Sequence, residues 1–577
     1  MKLRSALLSS AALIAVAAAF TSTGSVAGNK LADELAPVEN LIDDVVNNSK
    51  KTSAVDPNSL KTKTPIKHLV VIFNENISFD HYFGTYPNAL NPEGEPLFEP
   101  ARNTPRDSNN LLSSPTLLDN NPNFTNALNS PNQSNPFRLD RTQAVSGDQG
   151  HAYTPEQRAY DAGKNDLFPL NVGTGTAGGA GAFGTKALTM GYYDGNTVTA
   201  LWNYAQNYAM SDNAWSDDFG PSTPGALNMF AGTSNGATIP AGFTANTIPD
   251  GQGGLTLIND TDPAGDTCSS KTAQVLMTSK TIGDLLNAAN IPWGSFMGGF
   301  NLQIFNNNGT TGCGRNTTGL SGTTADYIPH HAWFQYYAST ANLTHARPTS
   351  TKSIGYTLVP GTKKVDPANH AYDLEDFTAA VGSGNYPAVS FIKLPAFQDG
   401  HGGYSNPLDE QTGVVNLINF LQQQEDWDST AVIIAYDDSD GWYDHASATI
   451  THASFNATAD ALNGTGSCGL PGTPKPAGVA VGNAPVDGRC GPGTRQPLLV
   501  ISPYAKKNYV SHVLTTQASI PQFIEDNWLK GERIGQGSFD ATTGSIMDMF
   551  DFSQKKSTKL ILDPMEGTVV TKVTSKN

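Results

Sequence analysis

Leu69-Val70-Val71-Ile72-Phe73 is an unbroken apolar run rich in β-branched residues, and Glu75 and Asn76 follow it at once. Such a run reads as a strand covered on both faces. A strand of that kind needs a layer above it and a layer below, so the chain around it must build a covered sheet. The polar residues come where the strand should end. Oxygen ligands at the C-terminal edge of a parallel strand lie where α/β sheets open their binding sites. The same residues also fit a plain strand-to-helix turn, with Asn76 or Ser78 as N-cap.

The rest of the chain repeats the alternation. Strands are expected at 292–297, 388–394, 430–436 and 497–502, and helices at 155–162, 197–208, 281–289, 414–423 and 520–528. Strands alternating with helices predict a mostly parallel sheet covered on both faces. Between these elements lie long loops. Residues 87–140 are rich in Asn, Pro and Ser, and 172–184 are rich in Gly. The 577 residues leave ample chain for a large core. We read 64–577 as one domain with loop insertions, and we find no internal repeat.

The N-terminus has a basic start (Lys2, Arg4), a short apolar run (Ala6 to Phe20) and small residues at Ser25-Val26-Ala27. That pattern predicts a signal peptide over 1–27 and a periplasmic or secreted protein. Residues 28–63 read as an N-terminal arm, with a short helix within Leu31–Asn47. The net charge of −17 excludes nucleic acid as a partner class. No later stretch is long enough to insert stably in a membrane. The oligomeric state is open. Four cysteines, Cys268, Cys313, Cys468 and Cys490, lie in loop-like sequence. An even count in an exported protein predicts two disulfides. Sequence neighbours pair most easily, Cys268 with Cys313 and Cys468 with Cys490, and two other connectivities exist.

A second apolar strand, Thr430–Tyr436, also ends in paired oxygen ligands, Asp437-Asp438. Adjacent carboxylates repel one another unless something positive compensates them. One divalent cation held by Glu75, Asn76, Asp437, Asp438 and the hydroxyl of Ser222 would do so. All-oxygen donors favour Ca²⁺, Mg²⁺ or Mn²⁺ over zinc. Asp437-Asp438 also fits a solvated turn. Ser222 precedes Thr223-Pro224 at a helix start. There it fits either an ordinary cap or a nucleophile placed where the helix dipole favours an incoming phosphate. His151, His330, His331, His401 and His445 lie in or beside loops. Such a cluster can hold phosphate oxygens and protonate a leaving group, although any one of them also reads as a structural histidine.

Taken together these pieces resemble the bacterial phosphoesterase family of phosphatidylcholine-type phospholipases C and secreted acid phosphatases. Glu75-Asn76-Ile77-Ser78-Phe79-Asp80…Gly84 is similar to the family's opening motif. Gly150-His151, Ser222-Thr223-Pro224, His330-His331, Asp399-Gly400-His401, Asp437-Asp438…Gly441-Trp442-Tyr443-Asp444-His445 and Ile501-Ser502-Pro503 resemble its later motifs, in order.

The resemblance implies a three-layer α/β/α sandwich related to alkaline phosphatase. It also implies one metal on Glu75, Asn76, Asp437 and Asp438, with Ser222 as ligand and nucleophile. His151, His331 and His401 would bind phosphoryl oxygens or act as general acid, with Asn76 and His330 as further phosphate contacts. Three departures stand out. Pro224-Gly225-Ala226 replaces the phospholipases' Pro-Asn-Arg, Ile77 replaces an Arg, and Asp438 replaces a Glu. They lean toward a broad-specificity acid phosphatase acting on small phosphomonoesters. The absent Arg also argues against a sulfatase. The alternatives are a phospholipase C acting on phospholipid and a non-catalytic exported metal-binding protein.

Overall fold

The computed structural model describes residues 54–112, 116–479, 484–553 and 556–576. The expected signal peptide, the helix within Leu31–Asn47 and the arm up to residue 53 lie outside the described residues. Residues 54–360 and 365–577 form one compact unit. Residues 361–364, grouped with 1–53, are an exposed loop.

Eight strands form the main sheet: β1 (His68–Asn74), β2 (Ala209–Ser211), β3 (Trp293–Met297), β4 (Ala371–Asp373), β5 (Val389–Lys393), β6 (Thr430–Tyr436), β7 (Leu498–Ile501) and β8 (Tyr509–Ser511). Their order is β4-β3-β5-β1-β6-β7-β2-β8. β1 sits at the centre, parallel to β5 on one side and β6 on the other. Every residue of β1, β5 and β6 is buried. Burying each large apolar side chain there contributes about 1.5–3 kcal/mol.

β7, around the Ile-Ser-Pro motif, runs antiparallel to both its neighbours, against the simple alternation. A parallel step needs a crossover, usually a helix. The long connection from β6 to β7 contains no helix among the described residues, and β7 returns in the opposite direction.

The covering helices are α1 (Phe79–Phe83), α2 (Tyr153–Tyr160), α3 (Thr199–Asn207), α4 (Ser222–Ala231), α5 (Ile282–Ala288), α6 (Leu374–Gly382), α7 (Pro407–Gln422) and α8 (Ser519–Trp528). They fall into packing groups, α3 with α7 and α4 with α5 and α8. With both faces of the central strands covered, the architecture is the expected α/β/α sandwich. α7 begins at Pro407, two turns before the expected 414. Asn406 caps it by accepting from the N–H groups of Leu408 and Asp409, and Pro407 stands in its first turn. Both disulfides join sequence neighbours, Cys268–Cys313 and Cys468–Cys490. No helix among the described residues is long and apolar enough to cross a membrane.

Glu410 of α7 lies buried beneath the ends of β1 and β6. It accepts from Asn74 Nδ2 (2.7 Å), Tyr436 OH (2.7 Å) and Tyr82 OH (2.8 Å). Burial outweighs these donors and pushes its carboxyl up to about 7. A folded pKa above the unfolded one means that the native state keeps the proton longer. Stability is therefore fully present below the unfolded value and is lost as pH rises through the folded one, at up to about 1.4 kcal/mol per pH unit. We expect wild-type stability to fall more steeply than that of Glu410→Gln between pH 5 and 7. Urea denaturation across that range checks it, and parallel slopes overturn it.

Candidate active site

β5, β1 and β6 are neighbours, and their C-terminal ends deliver Lys393, Glu75-Asn76 and Asp437-Asp438 to one edge of the sheet. The polypeptide is tied together there by backbone bonds. Glu75 N–H donates to the Asp399 carbonyl and Ile77 N–H to the Asp438 carbonyl, both at 2.9 Å. Asn76 has φ of +64°, and its N–H donates to Asp437 Oδ1 at 2.9 Å. The cap reading of the opening motif holds at Ser78, which caps α1, while Glu75 and Asn76 precede it as buried polar residues at the end of β1. The solvated-turn reading of Asp437-Asp438 does not hold: both are buried.

Ser222 is the first residue of α4 and makes no capping bond. The cap expectation is thus corrected. Its hydroxyl, turned away from the helix amides, lies 2.9 Å from Glu75 Oε2 and 3.2 Å from Asp438 Oδ2. α4 reaches this position because residue 225 is glycine. A Cβ there would stand 2.1 Å from the Asp437 carbonyl oxygen. One departure from the phospholipase pattern, Gly225, is therefore required by the way α4 meets β6 in this chain.

Glu75, Asp437 and Asp438 each offer an oxygen within 4.8 Å of the others. Among the described residues, Lys393 supplies the one lysine or arginine charge that meets them, through a contact between its Nζ and Glu75 Oε1. Burial and the neighbouring Asp437 hold the carboxyls of Glu75 and Asp438 well above the ordinary range. Asp437 stays low despite burial, because Lys393 and several donors favour its charge. Asn76 Oδ1 and Asp437 Oδ2 are buried without a hydrogen-bond partner. This is a buried, oxygen-rich space that one lysine charge meets, and the donor set fits a hard divalent cation.

The histidines surround it unequally. His331 is buried, with Nδ1 3.1 Å from Glu75 Oε1 and Nε2 unpartnered. Burial and the neighbouring His330 and Lys393 push its pKa well below the ordinary value. His401 stands with its ring centre 5.8 Å from that of His151, and burial lowers it to about 4. His151 is raised against the effect of burial by Asp438, Asp440 and Asp148. His330 has Nδ1 3.5 Å from Asp262, so that nitrogen is engaged by a carboxylate. His445 is a structural residue. Its Nδ1 lies 2.6 Å from Asp80 Oδ2 and its Nε2 2.9 Å from Asn109 Oδ1. With Asp444 and the buried Arg495, which meets both aspartates, it binds the end of the opening motif to the loop after β6.

Two site residues escaped the sequence reading. Lys393 is a lysine within a buried strand, and charged residues are almost never fully buried unless paired. That was the available signal. Glu156 of α2 had none. It accepts from Gly220 N–H (2.8 Å) and Ser439 Oγ (2.9 Å), tying the approach to Ser222 to the turn after Asp438.

The profile of the phosphoesterase family matches residues 66–529. A non-hemolytic phospholipase C of Pseudomonas aeruginosa is 22% identical over 85% of this chain and 57% of its own length. Phospholipase C A of Mycobacterium tuberculosis is 24% identical over 77% of this chain and 69% of its own. The chain thus spans little more than half the length of the first of these. A solved protein of the alkaline phosphatase superfamily from Vibrio parahaemolyticus is 10% identical, over 64% of this chain and 67% of that one, at a TM-score of 0.27. The profile match runs from just before the central strand to the end of the last helix of the core, and the chain belongs to the phosphoesterase family.

Proposed function

We propose that this protein is an exported metal-dependent phosphoric ester hydrolase, specifically a broad-specificity acid phosphatase working through a phosphoseryl intermediate. One observation carries the reading: the Ser222 hydroxyl lies within hydrogen-bond reach of both Glu75 and Asp438, at the head of a helix. Ser222 Oγ gives its proton to a facing carboxylate and attacks phosphorus, and the ester P–O bond breaks in line. The leaving oxygen takes a proton from a neighbouring histidine. Water then hydrolyses the seryl phosphate and restores the hydroxyl. His151, His331 and His401 bind phosphoryl oxygens or carry the proton, with Asn76 and His330 as further polar contacts. Glu75, Asn76, Asp437, Asp438 and Ser222 hold the cation, of the Ca²⁺, Mg²⁺ or Mn²⁺ type. When bound, it supplies charge stabilisation and lowers the pKa of the seryl hydroxyl. Residues 64–577 act as one catalytic domain behind a signal peptide (1–27) and an arm (28–63). Two disulfides support export to the periplasm or beyond.

The second reading, a phospholipase C, is favoured by the relatives that bear that name. Hydrolysis of p-nitrophenyl phosphate beside p-nitrophenylphosphorylcholine, from pH 4.5 to 8, separates the two. We expect kcat/KM for the first to exceed that for the second at least tenfold. The reverse order moves the protein to the phospholipase reading. Turnover of neither by folded, metal-loaded protein leaves the non-catalytic metal-binding protein.

A further inference from the structure

α2 carries Glu156 and α4 carries Ser222, and neither helix is capped by its own N-cap residue. Ala152 and Pro221 stand at those positions, and neither has a side chain that bonds to the helix. The first N–H groups of a helix have no partner within it and need an acceptor from elsewhere. Two adjacent residues of one loop supply it. Tyr153 N–H, at the start of α2, donates to Asn259 Oδ1 at 3.0 Å. Thr223 N–H, next to Ser222 in α4, donates to Asp260 Oδ1 at 2.9 Å, and the Thr223 hydroxyl donates to the same oxygen at 2.9 Å. The loop itself is held in place. Ile258 N–H donates to the Asn246 carbonyl at 3.1 Å, and Asn246 Nδ2 donates back to the Asp260 carbonyl at 2.6 Å.

This arrangement bears on the direction of the Ser222 hydroxyl. A serine at a helix start ordinarily turns its oxygen onto an amide two or three residues ahead. In α4 the residue two ahead is Pro224, which has no N–H. Three ahead, Gly225 N–H reaches only the Pro221 carbonyl, at 3.5 Å. Gly225 N–H is therefore the amide that Ser222 could take as a cap. Its hydroxyl instead lies toward Glu75 and Asp438. With Asp260 on Thr223, the start of α4 has an acceptor, and one of the charge that the positive end of a helix favours. Gly220 N–H, just ahead of the helix, is taken by Glu156 at 2.8 Å. The amides on either side of Pro221-Ser222 are thus both satisfied by carboxylates from other segments.

We infer that Asp260 is a positioning residue for Ser222: it caps α4 from the neighbouring loop, so that the seryl oxygen stays off the helix amides and aimed at Glu75 and Asp438. The effect on rate rests on the phosphoseryl reading above. The competition between two caps is a property of the folded chain alone. Asp260 also favours the charged form of His330, so the test has to separate its charge from its capping oxygen.

Two variants of the full chain make that separation. Asp260→Asn keeps an acceptor for Thr223 N–H and removes the charge, whereas Asp260→Ala removes both. With p-nitrophenyl phosphate we expect kcat to fall at least about tenfold in Asp260→Ala with KM within about twofold of wild type, and to stay within about threefold in Asp260→Asn. Wild-type kcat in Asp260→Ala, or equal losses in the two variants, overturns the inference. A urea cycle needs no activity. In the wild-type background Ser222→Ala leaves the midpoint unchanged. In the Asp260→Ala background the Ser222 oxygen is the spare cap, so removing it should lower the midpoint further. Additive midpoints overturn the inference whatever the activity. If Asp260→Ala does not fold, a tenfold or greater loss of kcat in Asp260→Asn at the wild-type midpoint overturns it. A wild type that turns over no phosphomonoester but shows the non-additive urea cycle counts against the preceding reading alone.

Discussion

Replacing Ser222 by alanine lowers kcat for p-nitrophenyl phosphate by roughly four to six orders of magnitude, the range seen when a covalent nucleophile is lost. The change removes a single oxygen from a buried side chain, and α4 does not depend on it, because Ser222 makes no capping bond. Circular dichroism and the urea midpoint should therefore stay close to wild type. What is lost is the hydroxyl facing Glu75 Oε2 and Asp438 Oδ2, and with it the covalent intermediate. Acid quench with phosphorus-labelled substrate should trap seryl phosphate in the wild type and none in Ser222→Ala. Activity within tenfold of wild type would end the nucleophile assignment.

Lys393→Met tests the electrostatics of the site. Lys393 is buried at the end of β5, with Nζ against Glu75 Oε1, while Asp437 and Asp399 also favour its charge. Its removal leaves the buried Glu75 and Asp437 without a neighbouring lysine charge. Breaking a buried pair by deleting one partner costs about 3–5 kcal/mol. In chelator, Lys393→Met should lose stability of that order by urea denaturation. A divalent cation that binds only the native state stabilises it by mass action. Because the site then lacks a competing positive charge, millimolar Ca²⁺ or Mg²⁺ should recover more stability in the variant than it adds to wild type. Wild-type stability of the variant in chelator would show that Lys393 does not hold these carboxylates together.

The core strands were legible from local pattern. β1 and β6 contain continuous apolar runs, β5 is apolar apart from Ser390 and Lys393, and the structure places Thr430–Tyr436 at the expected bounds. α5 and α8 agree with their helical spacing to within a residue or so. The three-residue strands β2, β4 and β8 were not legible, since so few residues carry no measurable alternation. Their pairing in the sheet makes them strands. Asp437 and Asp438 could be named as a pair from their position after β6, but a strand end exposed to water and one sealed under α4 look the same in sequence. Glu156 reads as an ordinary polar position on a helix until α2 is packed against the site.

By itself the sequence determined the alternating elements, the centrality of β1, the order of the motifs and the type of side chain at each strand end. Those properties depend on periodicity and on residues adjacent in the chain. Only the tertiary structure decided which groups share charge. Glu75 meets Lys393 across 318 positions of sequence, Ser222 meets Asp438 across 216, and Asn76 meets Asp440 across 364. Electrostatic coupling falls with distance in space and rises with burial. The chain has to fold before a carboxylate has a partner, a proton or a metal to compensate it.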